Sequence, residues 1–183
     1  MTQLSKNMLS VREFQERDID SIVQYWLGSD KDHLIGMGVD LDKLPTKEAI
    51  TEMLLEQLQL PVEKKNGYCI IWQADDKPIG HCNTNPTTIG NQAYMHLHLW
   101  NNNERKKGIG TELVKMTLPY FFKNLQLRKL YSQPYALNPA AHRTLQKVGF
   151  EFVKDYTTIP GSMNFEQPVK LWKLTYEKFK IIE

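Results

Sequence analysis

Two histidines at alternate positions, His96 and His98, are followed by a basic run punctuated by glycine: Arg105-Lys106-Lys107-Gly108-Ile109-Gly110-Thr111. An imidazole titrates near neutral pH, so each histidine is a candidate general base. The run after them suits an anion. Gly108 and Gly110 let the backbone approach without Cβ interference, and three cations add charge, Arg105 with a fork of donors for phosphate oxygens. Together these residues could hold a pyrophosphate beside a proton acceptor.

Such roles need a strand, a turn and a helix start in that order. Tyr94 to Trp100 alternates as a strand does, placing Met95, Leu97 and Leu99 against a packed layer and Tyr94, His96, His98 and Trp100 on the other face. Past Gly110 the apolar spacing becomes helical, with Ile109, Leu113, Met116 and Tyr120 on one stripe. The glycines therefore fall where a strand becomes a helix, and a helix start offers unpaired N–H groups and partial positive charge to an anion. Two familiar phosphate loops do not fit. A Walker A loop needs its lysine after the glycines, and a dinucleotide turn needs three glycines with a later acidic residue.

Arg105 to Gly110 instead matches the acetyl-CoA loop of the Gcn5-related N-acetyltransferase (GNAT) family: Arg or Gln, two residues, Gly, one residue, then Gly or Ala. A second block follows, Asn138-Pro139-Ala140-Ala141, then Leu145, then Lys147-Val148-Gly149-Phe150. It resembles the family's later block, where an Asn opens a helix that ends in Gly-Phe. That block is also well formed physically. Asn138 is a favoured N-cap, Pro139 suits the first helical position, Ala141, Leu145 and Val148 make a stripe, and Gly149 supplies a left-handed end.

The resemblance implies acetyl-CoA as co-substrate, with no metal. Arg105, Lys106, Lys107, Gly108, Ile109, Gly110 and Thr111 would take the pyrophosphate, Asn138 the pantetheine arm, and backbone donors near Leu99 and Trp100 the thioester carbonyl. His98 and His96 are then the candidate bases. A base matters because an alkyl ammonium has a reference pKa near 10.4, leaving roughly one amine in a thousand free at neutral pH. Tyr135 and Glu166 are outside candidates, and Arg143 could meet a phosphate although it and His142 fall on the expected exposed side of their helix. Many members carry a Tyr as general acid where Leu145 stands here, a pattern that looks like the branch of ribosomal-protein N-terminal acetyltransferases. A thiol with reference pKa near 8.5 leaves adequately as thiolate without that acid.

The remaining chain supplies a framework for one domain over residues 1–183. Leu9 to Phe14 reads as a strand, Asp18 as the cap of a helix with Ile19, Ile22, Val23, Trp26 and Leu27 inward, and Ser29 to Leu44 as loop. Thr46 caps a helix with Ile50, Met53, Leu54 and Leu58 on one face. Tyr68 to Trp72 is a strand covered on both sides, Asp75 to Pro78 a turn, and Ile79 to Asn83 the antiparallel return. If that turn is tight, Cys69 and Cys82 can face each other as reduced thiols. Pro119 predicts a kink or break in the helix that runs from Ile109 to about Asn124. Strands follow at Lys129 to Gln133, Phe150 to Tyr156 and Val169 to Tyr176. The expected fold is α/β (α+β): a central mixed, mostly antiparallel sheet flanked by helices, in the order β-α-α-β-β-β-α-β-α-β-β.

A charge of +2 and 41% hydrophobic residues demand neither nucleic acid nor membrane as a partner. Two cysteines and no signal-like N-terminus imply a cytoplasmic setting. The function expected is acetyl transfer to a primary amine, on a small molecule or a protein N-terminus, by direct attack in a ternary complex; a homodimer is possible. In this fold Ser29 to Leu44 and Thr157 to Pro168 usually line the acceptor side, and the first carries Asp30, Asp32, Asp40 and Asp42. The alternatives are a catalytically silent CoA-binding regulatory module and, on the strength of Arg105 to Lys107 alone, a phosphate- or nucleic-acid-binding module.

Overall fold

Three consecutive residues with no exposure at all, Ile70, Ile71 and Trp72, show that the second strand is covered on both faces. It lies one place in from the edge of the sheet. The computed structural model describes residues 8–101 and 108–183. Its elements are β1 (Leu9–Glu13), α1 (Ile19–Gly28), α2 (Lys31–Gly36), α3 (Lys47–Gln59), β2 (Tyr68–Ala74), β3 (Lys77–Thr88) and β4 (Gln92–Leu99). After these come α4 (Ile109–Pro119), β5 (Lys129–Ser132), α5 (Pro139–Val148), β6 (Glu151–Thr158), β7 (Gln167–Thr175) and α6 (Tyr176–Ile182). The seven strands form one sheet in the order β1-β2-β3-β4-β5-β7-β6. All neighbours are antiparallel except β4 and β5. The fold is thus the expected α+β arrangement, and it adds two helices: α2 inside the stretch read as loop, and α6 after the last strand, which stops at Thr175.

The main core joins β2, β4, β5 and β7 to α4, α5 and α6, with Trp72, Phe121, Phe122 and Phe179 among its largest wholly buried side chains. A smaller cluster of Ile19, Val23 and Ile50 joins α1 to α3. Several inward faces differ from their sequence reading. Leu27 and Met53 are exposed and Tyr25 is buried in α1. In α4 Met116 is exposed, and the covered set is Leu113, Val114, Thr117 and Leu118. A helix held between a sheet and a second helix buries a wider arc than one stripe. Thr117 is tolerated there because its hydroxyl accepts from Trp72 Nε1 and donates to the Leu113 carbonyl, both at 2.8 Å. At Pro119 the α-helix ends and a π-helical turn, Tyr120–Asn124, takes over, which absorbs the missing N–H.

The β2–β3 hairpin turns on two residues, Asp75 and Asp76, both at positive φ, so β3 begins at Lys77, earlier than expected. Its register pairs Ile70 with Cys82 and Cys69 with Asn83. The two thiols therefore point to opposite faces, and burial pushes both pKa values up, keeping them neutral. Asp18 does not cap α1. It is 2% exposed and accepts two bonds from Arg12 and one from the Gln15 N–H.

Candidate active site

Pairing between β4 and β5 is short: Gln92, Ala93 and Tyr94 face Lys129, Leu130 and Tyr131. β4 then runs on to Leu99 while β5 ends at Ser132, whose hydroxyl donates to the Met95 carbonyl at 2.9 Å. The two strands splay from that point. Along β4, hydrogen bonds alternate sides. The Trp100 N–H donates to the Ile79 carbonyl on β3, at 2.9 Å, so by alternation the N–H groups of Leu97 and Leu99 point toward the gap. Of the two donors expected near the thioester, Leu99 has the required direction and Trp100 is committed to β3.

Helix α4 opens at the mouth of this gap. Gly108 precedes it in the left-handed conformation, φ 78°, and the Thr111 N–H already bonds the Gly108 carbonyl at 3.3 Å. Gly110 sits where a Cβ would lie 3.9 Å from both Leu99 Cδ1 and Thr144 Oγ1, between the end of β4 and the flank of α5. Ile109 packs on the core and Thr111 is half-buried. Arg105, Lys106 and Lys107 lie outside the described residues. At the start of α5 the Asn138 Oδ1 accepts from the Ala141 N–H at 3.4 Å, as its N-cap role requires, and the Asn138 N–H donates to the Tyr135 carbonyl at 2.9 Å. Gly108 to Thr111, Leu99 and the α5 flank thus border the same gap.

On the opposite face of β4 the structure assembles a cluster that the sequence only half revealed. Antiparallel register sets His81 of β3 against His98, and their rings stack with centroids 4.6 Å apart. Tyr25 and Trp26 of α1 close over His98, at 5.4 and 5.0 Å between ring centroids. Tyr25 Oη lies 3.1 Å from His98 Nδ1 and 3.4 Å from His33 Nε2 on α2. Trp100 Nε1 donates to His81 Nδ1 at 2.7 Å, which leaves the His81 proton on Nε2. Nothing within a few residues of His81 marks it as a site residue; only the hairpin register does. An open cleft of about 730 Å³ adjoins the cluster, lined by Asp20, Gln24, Tyr25, Asp30, His33 and Trp100 among others.

The other sequence candidates sit apart from that cluster. His96 Nε2 bonds the Asn85 carbonyl at 2.8 Å; burial lowers its pKa, and that bond partly offsets the effect. Tyr135 is half-buried and edge-on to Phe165, at 5.7 Å. Glu166 and Arg143 are exposed. His142 is not on the exposed side: Trp172 Nε1 donates to its Nδ1 at 3.1 Å and its Nε2 faces the Tyr135 carbonyl at 3.0 Å. Its ring anchors α5 to the β5–α5 connection, and burial lowers its pKa. Among the described residues no group of three or more His, Cys, Asp and Glu could hold a metal, and no helix is long and apolar enough to cross a membrane.

A family model described as an acetyltransferase (GNAT) domain matches residues 9–151. The chain belongs to the GNAT acetyltransferase family. Solved structures similar to this GNAT chain include a spermidine N-acetyltransferase from Vibrio cholerae in complex with CoA and spermine. It is 16% identical, with 94% of this chain and 98% of that chain covered and a TM-score of 0.76. The aminoglycoside acetyltransferase AAC(6')-Ib, in complex with coenzyme A and kanamycin, is 20% identical over 95% of this chain and 98% of that one, with a TM-score of 0.72. RimL, a ribosomal L7/L12 alpha-N-protein acetyltransferase in complex with coenzyme A, is 12% identical over 93% and 95%, with a TM-score of 0.74. At these identities the likeness establishes the fold. No curated protein matches the chain significantly in sequence.

The His81 environment carries a prediction. Burial, with a smaller contribution from His96, lowers its pKa to about 3 from an ordinary 6.5. The folded state then binds fewer protons than the unfolded one between these values. His81 therefore contributes stability that is fully present above pH 6.5 and lost progressively as pH falls toward 3. Lowering pH from about 7.5 to 4.5 should cost roughly 2–3 kcal/mol through this group. His81→Gln keeps an acceptor for Trp100 and does not titrate. Urea unfolding at the two pH values should show that extra loss in the wild type and not in His81→Gln.

Proposed function

We propose that this protein moves an acetyl group from acetyl-CoA to a primary amine by direct attack in a ternary complex. The observation that carries the reading is the splayed β4–β5 pair, with a glycine-opened helix start at its mouth and a histidine cluster on the far face of β4. Acetyl-CoA supplies the activated acyl group. The residues present fit it: Gly110 leaves an uncovered stretch of backbone beside Leu99 and Thr144 that a side chain would fill. Gly108, Ile109, Gly110 and Thr111, with Arg105, Lys106 and Lys107, would hold the pyrophosphate. The Asn138 cap uses Oδ1, so its Nδ2 is the donor for a pantetheine carbonyl, and Leu99 N–H is the donor for the thioester oxygen.

His98 is the preferred base. It stands on β4 next to Leu99, where β4 runs on past the end of β5, and its ring is set there by Tyr25, Trp26 and His81. The amine nitrogen attacks the acyl carbon, the C–S bond breaks, and the thiolate departs; Leu145 stands where a general acid would be, and Tyr135 is the remaining candidate. The Asn138 to Phe150 block, with Leu145 in it, favours the ribosomal-protein N-terminal acetyltransferase branch, while the similar structures in complex with spermine and kanamycin keep small amines in view.

The two acceptor-side loops support one another. The Asp40 N–H donates to the Met163 carbonyl at 2.8 Å, and the Gly38 carbonyl accepts from Asn164 Nδ2 at 2.8 Å and Gln167 Nε2 at 3.0 Å. Gly38 has φ 86°, and a Cβ there would overlap the Gln167 carboxamide, which is 1% exposed. Gly38→Ala should cost about 2–3 kcal/mol from backbone strain and disrupted buried bonds. It should raise KM for the amine with KM for acetyl-CoA unchanged, measured by steady-state kinetics at a temperature where the variant stays folded.

The deciding experiment is calorimetric titration of acetyl-CoA, followed by thiol-release assays with spermidine, kanamycin and a peptide with a free N-terminus. Binding with turnover supports the proposal and names the acceptor class. Binding without turnover on any amine favours the silent CoA-binding module, and no binding overturns both.

A further inference from the structure

We propose that Tyr25 and His33 carry the catalytic proton away from His98, so that the base is a three-residue relay running from β4 through α1 to α2. This rests on the acetyltransferase reading above and adds to it two residues for which the sequence held no signal.

His98 is enclosed. The rings of Tyr25, Trp26 and His81 surround it at 4.6–5.4 Å between centroids. A base in such a place must pass its proton on before the next turnover. Tyr25 is 3% exposed, and its hydroxyl stands between two imidazole nitrogens, 3.1 Å from His98 Nδ1 and 3.4 Å from His33 Nε2. Met37 Sδ, also at 3.4 Å, is a weak competing acceptor. His33 is half-buried and lines the open cleft, so the chain of groups ends at solvent.

His98, starting as its Nδ1–H tautomer, takes a proton from the acceptor ammonium at Nε2 and releases the Nδ1 proton to Tyr25 Oη, as the Tyr25 hydroxyl proton moves to His33 Nε2 and His33 releases its own Nδ1 proton to water. Both rings then carry their proton on Nε2. The reverse hop after product leaves, with water protonating His33 Nδ1 and His98 Nε2 giving its proton to solvent in the vacated acceptor site, resets the relay. His81 cannot serve as the exit, because its Nδ1 accepts from Trp100 Nε1. Among the described residues, Asp20 and Asp30 line the cleft with Tyr25 and His33, and Asp32 stands in the first turn of α2; the Asp30 carboxylate accepts from the His33 N–H at 3.1 Å.

Two readouts test the relay. Long-range proton–nitrogen spectra of the full chain, labelled at histidine, follow each ring nitrogen through a pH titration without any substrate. In Tyr25→Phe and in His33→Gln the midpoint of His98 should move by about one pH unit, since coupled sites titrate as a set. An unmoved midpoint in both variants overturns the relay. With spermidine as probe amine, or the amine of the panel that gives turnover, both variants should lower kcat about 10- to 100-fold near neutral pH. Acetyl-CoA affinity should be unchanged, and the deficit should shrink as pH rises and the amine loses its own proton. An equal deficit at every pH marks a merely structural role and overturns the relay. Full-rate Tyr25→Phe beside an active wild type sinks the relay alone, whereas a wild type inactive on every amine sinks the acetyltransferase reading beneath it.

Discussion

Gly110→Ala is expected to weaken acetyl-CoA binding by about 100-fold or more, equal to roughly 2.7 kcal/mol, while leaving the melting temperature unchanged or raising it. The two halves of that expectation come from different neighbours. Within the protein, a Cβ at Gly110 meets Leu99 Cδ1 and Thr144 Oγ1 at 3.9 Å, ordinary van der Waals contact, and φ there is not left-handed. In a helix, Ala is better than Gly by about 0.5–1 kcal/mol. Stability should therefore not fall. The same methyl group projects toward the gap mouth where the pyrophosphate would lie against backbone N–H groups, and it holds the ligand off them.

Gly108 separates the two effects from the other side. Its φ of 78° with nothing near the Cβ position means that Gly108→Ala strains the backbone, by about 1–2 kcal/mol, without filling any space in the folded chain. Calorimetry and thermal melts thus separate the two variants if α4 begins at a ligand site: Gly110→Ala loses affinity with stability kept, whereas Gly108→Ala loses both. Unchanged acetyl-CoA affinity in a folded Gly110→Ala protein would remove the assignment of the Gly108 to Thr111 segment, and with it the proposed function.

Much of this site was legible because it rests on local chemistry. The period of β4 was visible because its two faces differ so strongly, apolar at Met95, Leu97 and Leu99 and imidazole or aromatic at Tyr94, His96, His98 and Trp100. The α5 cap was visible because Asn138, Pro139 and Gly149 are each the residue their position demands. What stayed hidden is non-local. His81 joins His98 only through the β3–β4 register, and Tyr25 and His33 reach it from two helices across 73 and 65 positions of sequence, the first as a buried residue on a face read as bounded by Trp26 and Leu27. α2 has six residues ending at Gly36 in a stretch dense with aspartate and glycine, which carries no helical period long enough to read. The stitching of Gly38 to Gln167 spans two loops, and no pattern within either announces it.

The same lesson applies at Asp18, where a residue of cap type does something else. Its two oxygens receive Arg12 Nη1 and Nη2 at 2.7 Å each, and the Gln15 N–H donates to Oδ2 at 2.9 Å, so the carboxylate ties β1 to the start of α1. Asp18→Ala should cost about 3–5 kcal/mol, because it strands a guanidinium whose side chain is 19% exposed and whose Nε already lacks a partner among the described residues. Against a total stability of about 5–15 kcal/mol, that is a large fraction. The cost lies in the orphaned charge and not in the pair itself, so Arg12→Met combined with Asp18→Leu should recover most of the loss. Urea midpoints for the single and double variants decide the matter, and a double variant as unstable as Asp18→Ala would contradict this account. Because Tyr25 stands two turns along α1 from Asp18, a loosened β1–α1 junction should also spread the resonances of the Tyr25, His33 and His98 rings.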